Sequence, residues 1–508
     1  MNREPLSSTP RAWTAGLAAA VAAALIYGVL SFLHARAFGV MATQGPDLWF
    51  YTLVARGWES LSPFDLTRWL VAPAAGMSPP EAKIFLSALA AACNAAAAFL
   101  VAWRLEDFML SSGRTGFGLG IRFAAGMLFA LLPHNVALSV ASFTHFTVAQ
   151  LVLLAALQQI LPWLDGRRSS PPLAGILLLA EAMVIGPEGF AVTAWVVLLA
   201  AWRRTAPFQT VGRPFLAAIR PRLPIAMGIA AGMVLATWAL SEPAFHAWSR
   251  IVLATRGIDL LWQRNLYSGD LLPLGFSLST LFGGINLLWL ALALWHLRRG
   301  DRPLAWLVLW LAALSLHVFR PAFLLQLAGF LLLLRALAVA HHPGRWLGGG
   351  LAALGILAFA GFSAPVFSGD FARVAREAGR PMSAGSRIAC SPTYGFYLEA
   401  WTGRHATATM HRRNPLWQEL AASSPASCAR RMREAGIGAL WITTHDFRLT
   451  PEGYWSSSGL QETLQPLGDA AFQDSVAVRL ALGRDLRPVR IIARTGTGPE
   501  RVWCLTAE

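Results

Sequence analysis

The sequence predicts a mainly α-helical, polytopic membrane protein that carries a C-terminal extracytoplasmic α/β domain. Three observations carry that prediction. The 508 residues are 55% hydrophobic and only 14% charged, with long charge-free runs, a composition that belongs to chains spanning a bilayer several times. The arginines that give a net charge of +15 sit mostly in short loops between apolar spans, where they encode topology rather than a nucleic-acid surface. After about residue 365 the text changes to short β-type runs alternating with an amphipathic helix, as in RIACSPTYGFYLEAW and ASCARRMREAGIGALWITTHD; this is α/β grammar.

Taken in order, about eleven apolar stretches are long enough to cross or nearly cross a bilayer. They run over 15–36, 83–104, 117–134, 146–163, 172–187, 189–203, 223–241, 275–297, 303–319, 321–341 and 346–364. Gly16 to Leu33 reads as the first helix and not a cleaved leader, since no small-residue cleavage site follows it. Alternating sides puts Arg104, Arg167, Arg203, Arg204, Arg298 and Arg345 on the side of the N-terminus. The positive-inside rule then places the N-terminus in the cytoplasm and the C-terminal domain outside. The stretch 172–203 reads as two short helices because Gly186-Pro187 followed by Glu-Gly is a strong turn signal. The resulting division is a membrane domain over 1–364, with long outer loops at 37–82 and 242–274, and a soluble α/β domain over 365–508. The outer segment GWESLSPFDLTRWL mixes apolar and polar residues as a surface-lying stretch does. Cys93, Cys390, Cys428 and Cys504 have no metal-site spacing, and pairing among the last three is open.

The residues that carry chemistry map to the outer side. Asp47 lies in QGPDLWFYTLVARGWE, among Trp49, Phe50 and Tyr51 at the membrane boundary, where a carboxylate is costly without a role; helix capping is the plain alternative. His145 stands at the mouth of the fourth span and Asp270 at the entrance of the eighth. Glu188 follows the Gly-Pro turn. Glu181 falls inside an apolar stretch, where an unpaired carboxylate is expensive. Arg320, in SLHVFRPAF, is a lone charge between two spans against the orientation bias. Such an arginine seeks a carboxylate, a substrate phosphate or a lipid headgroup.

These motifs, in this order along nearly the whole chain, resemble the GT-C class of polyprenol-dependent membrane glycosyltransferases, and most of all the catalytic subunit of oligosaccharyltransferases. PDLWFYTLVARGWE is similar to the family's first outer-loop motif, with Asp47 in the place of its catalytic acid. ASFTHFTV resembles the second motif, a lead into Asp-x-Asp or Asp-His-His, with His145 at the first acid and Thr147 at the later position. SGDLLP resembles the third, with Asp270 in place of a glutamate, and Arg320 fits the arginine that binds the donor phosphates. In the outer domain, CSPTYGFYLEAW keeps Tyr394 and Gly395 of the family's Trp-Trp-Asp-Tyr-Gly. Ser391, Pro392 and Thr393 replace the Trp-Trp-Asp that reads the hydroxyl residue of the glycosylation sequon.

The resemblance implies a catalytic set of Asp47, His145 and Asp270 and a donor-phosphate arginine, Arg320. It also implies an acceptor or outer-domain site at Tyr394 and Gly395, and a divalent metal (Mn²⁺ or Mg²⁺) on Asp47, His145 and Asp270. Its expected partners are a polyprenol-linked sugar donor, membrane lipid and an acceptor other than the usual sequon, with no nucleic acid. Substitution of the second-motif acids supports an alternative, a non-catalytic relative that binds lipid-linked sugar or assists a partner enzyme. A transporter or flippase would show paired halves with broken helices, and no such halves are evident.

Overall fold

The computed structural model describes residues 10–43, 47–109, 118–164, 172–186, 188–205, 285–298, 302–315, 321–339, 343–360, 369–383, 385–409, 412, 414–447, 464, 466–495 and 501–508. The expected span at 223–241, the loop 242–274, Asp270 and Arg320 lie outside these residues.

The helical part opens with α1 (Pro10–Phe38), α2 (Asp47–Ala55), α3 (Leu66–Val71) and α4 (Pro79–Met109). It continues with α5 (Leu119–Ala130), α6 (Pro133–Ser139), α7 (His145–Leu164), α8 (Leu173–Ile185) and α9 (Glu188–Thr205). Then come α10 (Ile285–Arg298), α11 (Arg302–Ser315), α12 (Pro321–Val339) and α13 (Pro343–Ala360). Three helices are long and apolar enough to cross a membrane among the described residues: Pro10–Phe38, Pro79–Leu105 and His145–Leu164. The 172–203 stretch is two helices that meet at Gly186.

Helix α1 shows how the bundle is held. Its small residues Ala12, Ala15, Ala19 and Ala23 are buried, while Trp13, Leu17, Val21, Leu25, Val29 and Phe32 are exposed. Without a water-driven force between apolar helices, close approach depends on small side chains. A Cβ on Gly126 of α5 would stand 2.8 Å from Ala19 Cβ and 2.9 Å from the Ala98 carbonyl of α4. The three helices therefore pack backbone to backbone.

A buried polar group fixes the corner formed by α6 and α7. Asn135 donates to the Phe129 carbonyl (2.7 Å) and accepts from Gln150 (2.7 Å), while Asn94 of α4 donates to Ser139 Oγ (2.6 Å). Hydrogen bonds shielded from water hold one geometry firmly, because leaving a member unpaired is costly. That corner sets where α7 and its first residue, His145, begin.

From residue 369 on, the chain forms α14 (Gly369–Gly379), β1 (Arg387–Ala389), α15 (Pro392–Thr402), α16 (Leu416–Ala422), α17 (Pro425–Glu434), β2 (Ile437–Thr443), α18 (Asp469–Asp474), α19 (Val476–Ala481), β3 (Val489–Arg494) and β4 (Val502–Ala507). The sheet order is β1-β2-β4-β3, with β1 and β2 parallel and the other pairs antiparallel. Strand β2, IGALWIT, lies inside the sheet with Ala439, Leu440, Trp441 and Ile442 fully buried, as a strand covered on both faces must be apolar throughout. One face of this region has its own core around Trp417, Met432, Leu440 and Leu505. On the other, Tyr394, Phe396, Tyr397 and Trp401 of α15 join the core of the helical part.

Candidate functional site

The stretch around Asp47 is the junction between the helical part and the C-terminal α/β region. Leu48 to Val54 are all buried, and a helix apolar on every face must be surrounded. Trp49 meets Tyr397 edge-on, ring centroids 5.3 Å apart, and Trp401 at 5.7 Å; Phe50 meets Phe396 at 5.1 Å. On the side of the helical part, Tyr51 sits edge-on to Phe143 at 5.0 Å, next to the start of α7. Such aromatic pairs add about 0.5–1.5 kcal/mol each beyond area burial.

Polar groups complete the docking. Arg56 donates to the Ala400 carbonyl of α15 and to the Met77 carbonyl, both at 3.0 Å. Gly57 then turns the chain with φ +75°, a left-handed conformation that glycine takes without steric cost. Past that turn Trp58 stacks over His405, centroids 4.9 Å apart. Arg412 donates to Glu59 (3.2 Å) and to Glu399 (2.6 Å), whose carboxylate also accepts from the Ala406 amide (2.9 Å). The Glu399 side chain is wholly buried, so its charge depends on Arg412, that amide and the His405 imidazole, whose Nδ1 lies 3.6 Å from it.

Asp47 occupies the first turn of α2, half-buried. His145 is the first residue of α7, half-buried and stacked on Phe146 at 4.2 Å. It is reached through Ala141, a buried residue at φ +53°. That left-handed conformation costs a non-glycine residue about 1–2 kcal/mol, a strain of the kind concentrated at functional sites.

A second acid, which the sequence reading did not single out, lies within electrostatic reach of His145. Asp65 is buried and caps α3, accepting from the Thr67 amide at 2.7 Å. Burial pushes its carboxyl up to about 6, opposed by the Thr67 bonds and the positive field of His145. The available signal was Pro-Phe-Asp-Leu-Thr, ordinary N-cap grammar. Glu181, flagged as an expensive intramembrane acid, is satisfied across helices: it accepts from the Leu66 amide of α3 at 2.8 Å. Loop 37–82, α7 and α8 thus meet around Asp65, His145 and Glu181.

The other site residues divide plainly. Asp270 and Arg320 lie outside the described residues, and Glu188 begins α9. Tyr394 is buried and its hydroxyl lies 3.2 Å from Thr443 Oγ1, whose amide and hydroxyl both donate to Asp446. Gly395 is required by close approach: a Cβ there would overlap the Ala408 carbonyl oxygen and stand 2.8 Å from Thr409 Cα. Both residues thus hold α15 in place. The described residues include no group of three His, Cys, Asp or Glu side chains able to hold a metal ion, so Asp47 and His145 do not by themselves make a metal site. All four cysteines are buried free thiols, and burial pushes Cys428 and Cys504 up to about 12.

No protein-family model and no curated protein matches the chain by sequence. Solved structures match it by shape. The oligosaccharyltransferase of Archaeoglobus fulgidus, tethered to an acceptor peptide containing the NVT sequon, superposes with a TM-score of 0.62 at 12% identity, covering 95% of this chain and 80% of that one. The same archaeal enzyme, AglB, in complex with an inhibitory peptide and a dolichol-phosphate, gives 0.59 at 12% identity and the same coverage. Its complex with Zn and sulfate gives 0.52 at 12%, over 93% of this chain and 79% of that one. At such identity the likeness is one of architecture, and it extends over nearly the whole chain: the protein is built on the fold of an oligosaccharyltransferase of the GT-C class.

Proposed function

We propose that this chain is an inner-membrane glycosyltransferase. It would move a sugar or glycan from a polyprenyl-phosphate or diphosphate donor to an acceptor on the periplasmic side. The observation that carries the reading is the placement of Asp47 on a helix wedged between the helical part and α15, within a fold shared with a lipid-linked glycosyltransferase. In this reading residues 1–364 form the membrane domain, with the N-terminus cytoplasmic, and residues 365–508 the periplasmic domain. Asp47 orients or deprotonates the acceptor for displacement at the anomeric carbon. Arg320 stabilises the charge that grows on the departing phosphate. His145, within electrostatic reach of Asp65, holds or passes a proton beside the same loop. No step is routed through a metal ion, because a third ligand is missing from the described residues.

A second reading is favoured by one observation. The second motif carries His145 in place of its first acid and a buried Thr147 at the later position, which suits a relative that binds lipid-linked sugar without turnover.

The test is donor turnover by the purified full chain in detergent, supplied with polyprenyl-diphosphate glycans and read as release of polyprenyl diphosphate, the leaving group of displacement at the anomeric carbon. Asp47→Ala is expected to lower turnover by about 10²–10⁴-fold, the range of a positioned acid–base group. Equal turnover by parent and variant would remove Asp47 from the catalytic set, and donor binding with no turnover in either would leave the binding relative as the answer.

A further inference from the structure

Helix α4 begins with Ser-Pro-Pro-Glu-Ala-Lys. Glu81 closes its N-terminal turn by accepting from both the amide and the hydroxyl of Ser78 at 2.8 Å; it is exposed and faces away from the bundle. Lys83, two residues later, turns inward and is only 6% exposed. Among the described residues it has neither a hydrogen bond nor a carboxylate partner. Its charge acts on the His34 imidazole near the end of α1, which is also buried. The positive end of the α4 dipole adds to this.

The balance at this point is therefore one-sided. A lysine only 6% exposed and a helix N-terminus both favour an anion, the neighbouring imidazole offers it a further hydrogen bond, and no described acid supplies one. Buried charges are normally paired because desolvation is expensive. A lysine that merely snorkels keeps its head in water, as the exposed Arg36 of α1 does two residues from His34. Lys83 is far less exposed, at 6%.

We propose that Lys83, with His34 beside it, is a binding site for the phosphate of a membrane lipid headgroup. The location fixes the class. Lys83 and His34 lie where the two longest apolar helices, α1 and α4, meet the first loop. The exposed Leu25, Val29 and Phe32 of α1 lead along the same helix to His34 and offer an acyl or prenyl chain an apolar track. A phosphate brings several acceptor oxygens to the three ammonium donors, which a carboxylate matches less fully. The inference stands on charge balance and does not rest on the transferase reading; a headgroup belonging to the sugar donor would join the two.

The experiment uses the full chain in detergent, with tryptophan fluorescence following the thermal transition as lipid is added. The probes are polyprenyl phosphate, the same polyprenol without phosphate, and phosphatidylglycerol. Polyprenyl phosphate is expected to raise the transition and polyprenol to leave it unmoved. Lys83→Met, which keeps the stem and removes the charge, is expected to weaken polyprenyl phosphate binding about tenfold to a hundredfold, the worth of one hydrogen bond to a charged group. Lys83→Arg is expected to bind like the parent. Phosphatidylglycerol binding as tightly as polyprenyl phosphate supports the site and assigns it to bulk lipid. Stronger binding of polyprenyl phosphate supports it and assigns it to a lipid carrier. Equal binding of polyprenol and its phosphate by the parent, a comparison that needs no variant, would overturn the proposal. So would undiminished binding by Lys83→Met.

Discussion

Replacing Gly395 by alanine sets two effects of opposite sign against each other. Gly395 is inside α15, a helix of 11 residues, where alanine gains about 1 kcal/mol over glycine in helix propensity. Against this, the new Cβ would overlap the Ala408 carbonyl oxygen and stand 2.8 Å from both Thr409 Cα and Cγ2, well inside the contact distance of about 3.5 Å. The opposing backbone is not free to retreat. The Thr407 amide donates to the Ile388 carbonyl (2.8 Å), the Ala406 amide to Glu399 (2.9 Å), and the Thr409 amide to the Arg412 carbonyl (2.9 Å). Overpacking costs about 1–3 kcal/mol, and a clash with tethered backbone belongs at or above the top of that range. Sterics win, by about 2 kcal/mol net, or roughly 5–10 °C in the melting of a region this size. The assay is thermal unfolding of the full chain, followed by near-ultraviolet circular dichroism. Gly28→Ala in α1 is the control, since no atom lies within 4 Å of its added Cβ; it should leave melting unchanged or slightly higher. Melting of Gly395→Ala at or above the parent would refute the close-approach argument.

Two further predictions concern charge. Arg412→Ala leaves the buried Glu399 carboxylate without its cation. The expected cost is about 2–3 kcal/mol, less than for a fully buried pair because Arg412 is partly solvated. Denaturant unfolding of Arg412→Ala and of the double variant with Glu399→Gln checks this: the double variant should recover most of the loss, and no recovery would mean that the pair is not what holds Glu399. Asp65, with its carboxyl raised by burial from 3.8 to about 6, binds a proton more readily in the folded chain than in the unfolded one. Its linkage therefore favours the fold below about pH 4 and withdraws about 3 kcal/mol as pH rises through 6. Asp65→Asn should flatten the fall in melting temperature between pH 4 and 7; a slope equal to the parent's would place the titration elsewhere.

Much of the architecture was legible because its signals are local. Apolar runs marked the helices, Gly186-Pro187 marked the break between α8 and α9, and the strand-like text after residue 365 marked the sheet. The stretch around Asp47 stood out through its density of aromatic residues, and in the fold those residues form the junction with α15. Glu181 was recognisable as an acid in need of a partner, but nothing local named the Leu66 amide that satisfies it. Asp65 was hidden because a capping aspartate looks the same whether its helix lies in water or beside a histidine of another helix. Tyr394 and Gly395 were readable as a motif, whereas their packing against Thr443 and Ala408 was not.

The sequence by itself determined that the chain is mainly apolar helices and that strand-type runs follow them toward the C-terminus. These properties follow from residue type and spacing over a few turns. Only the tertiary structure decided which charges meet. Arg412 bonds Glu59 across 353 positions of chain, Asp65 enters the field of His145, and Lys83 is buried without an acid partner among the described residues. Coulomb and desolvation energies depend on distance and solvent exposure in space, and periodicity along the chain encodes neither.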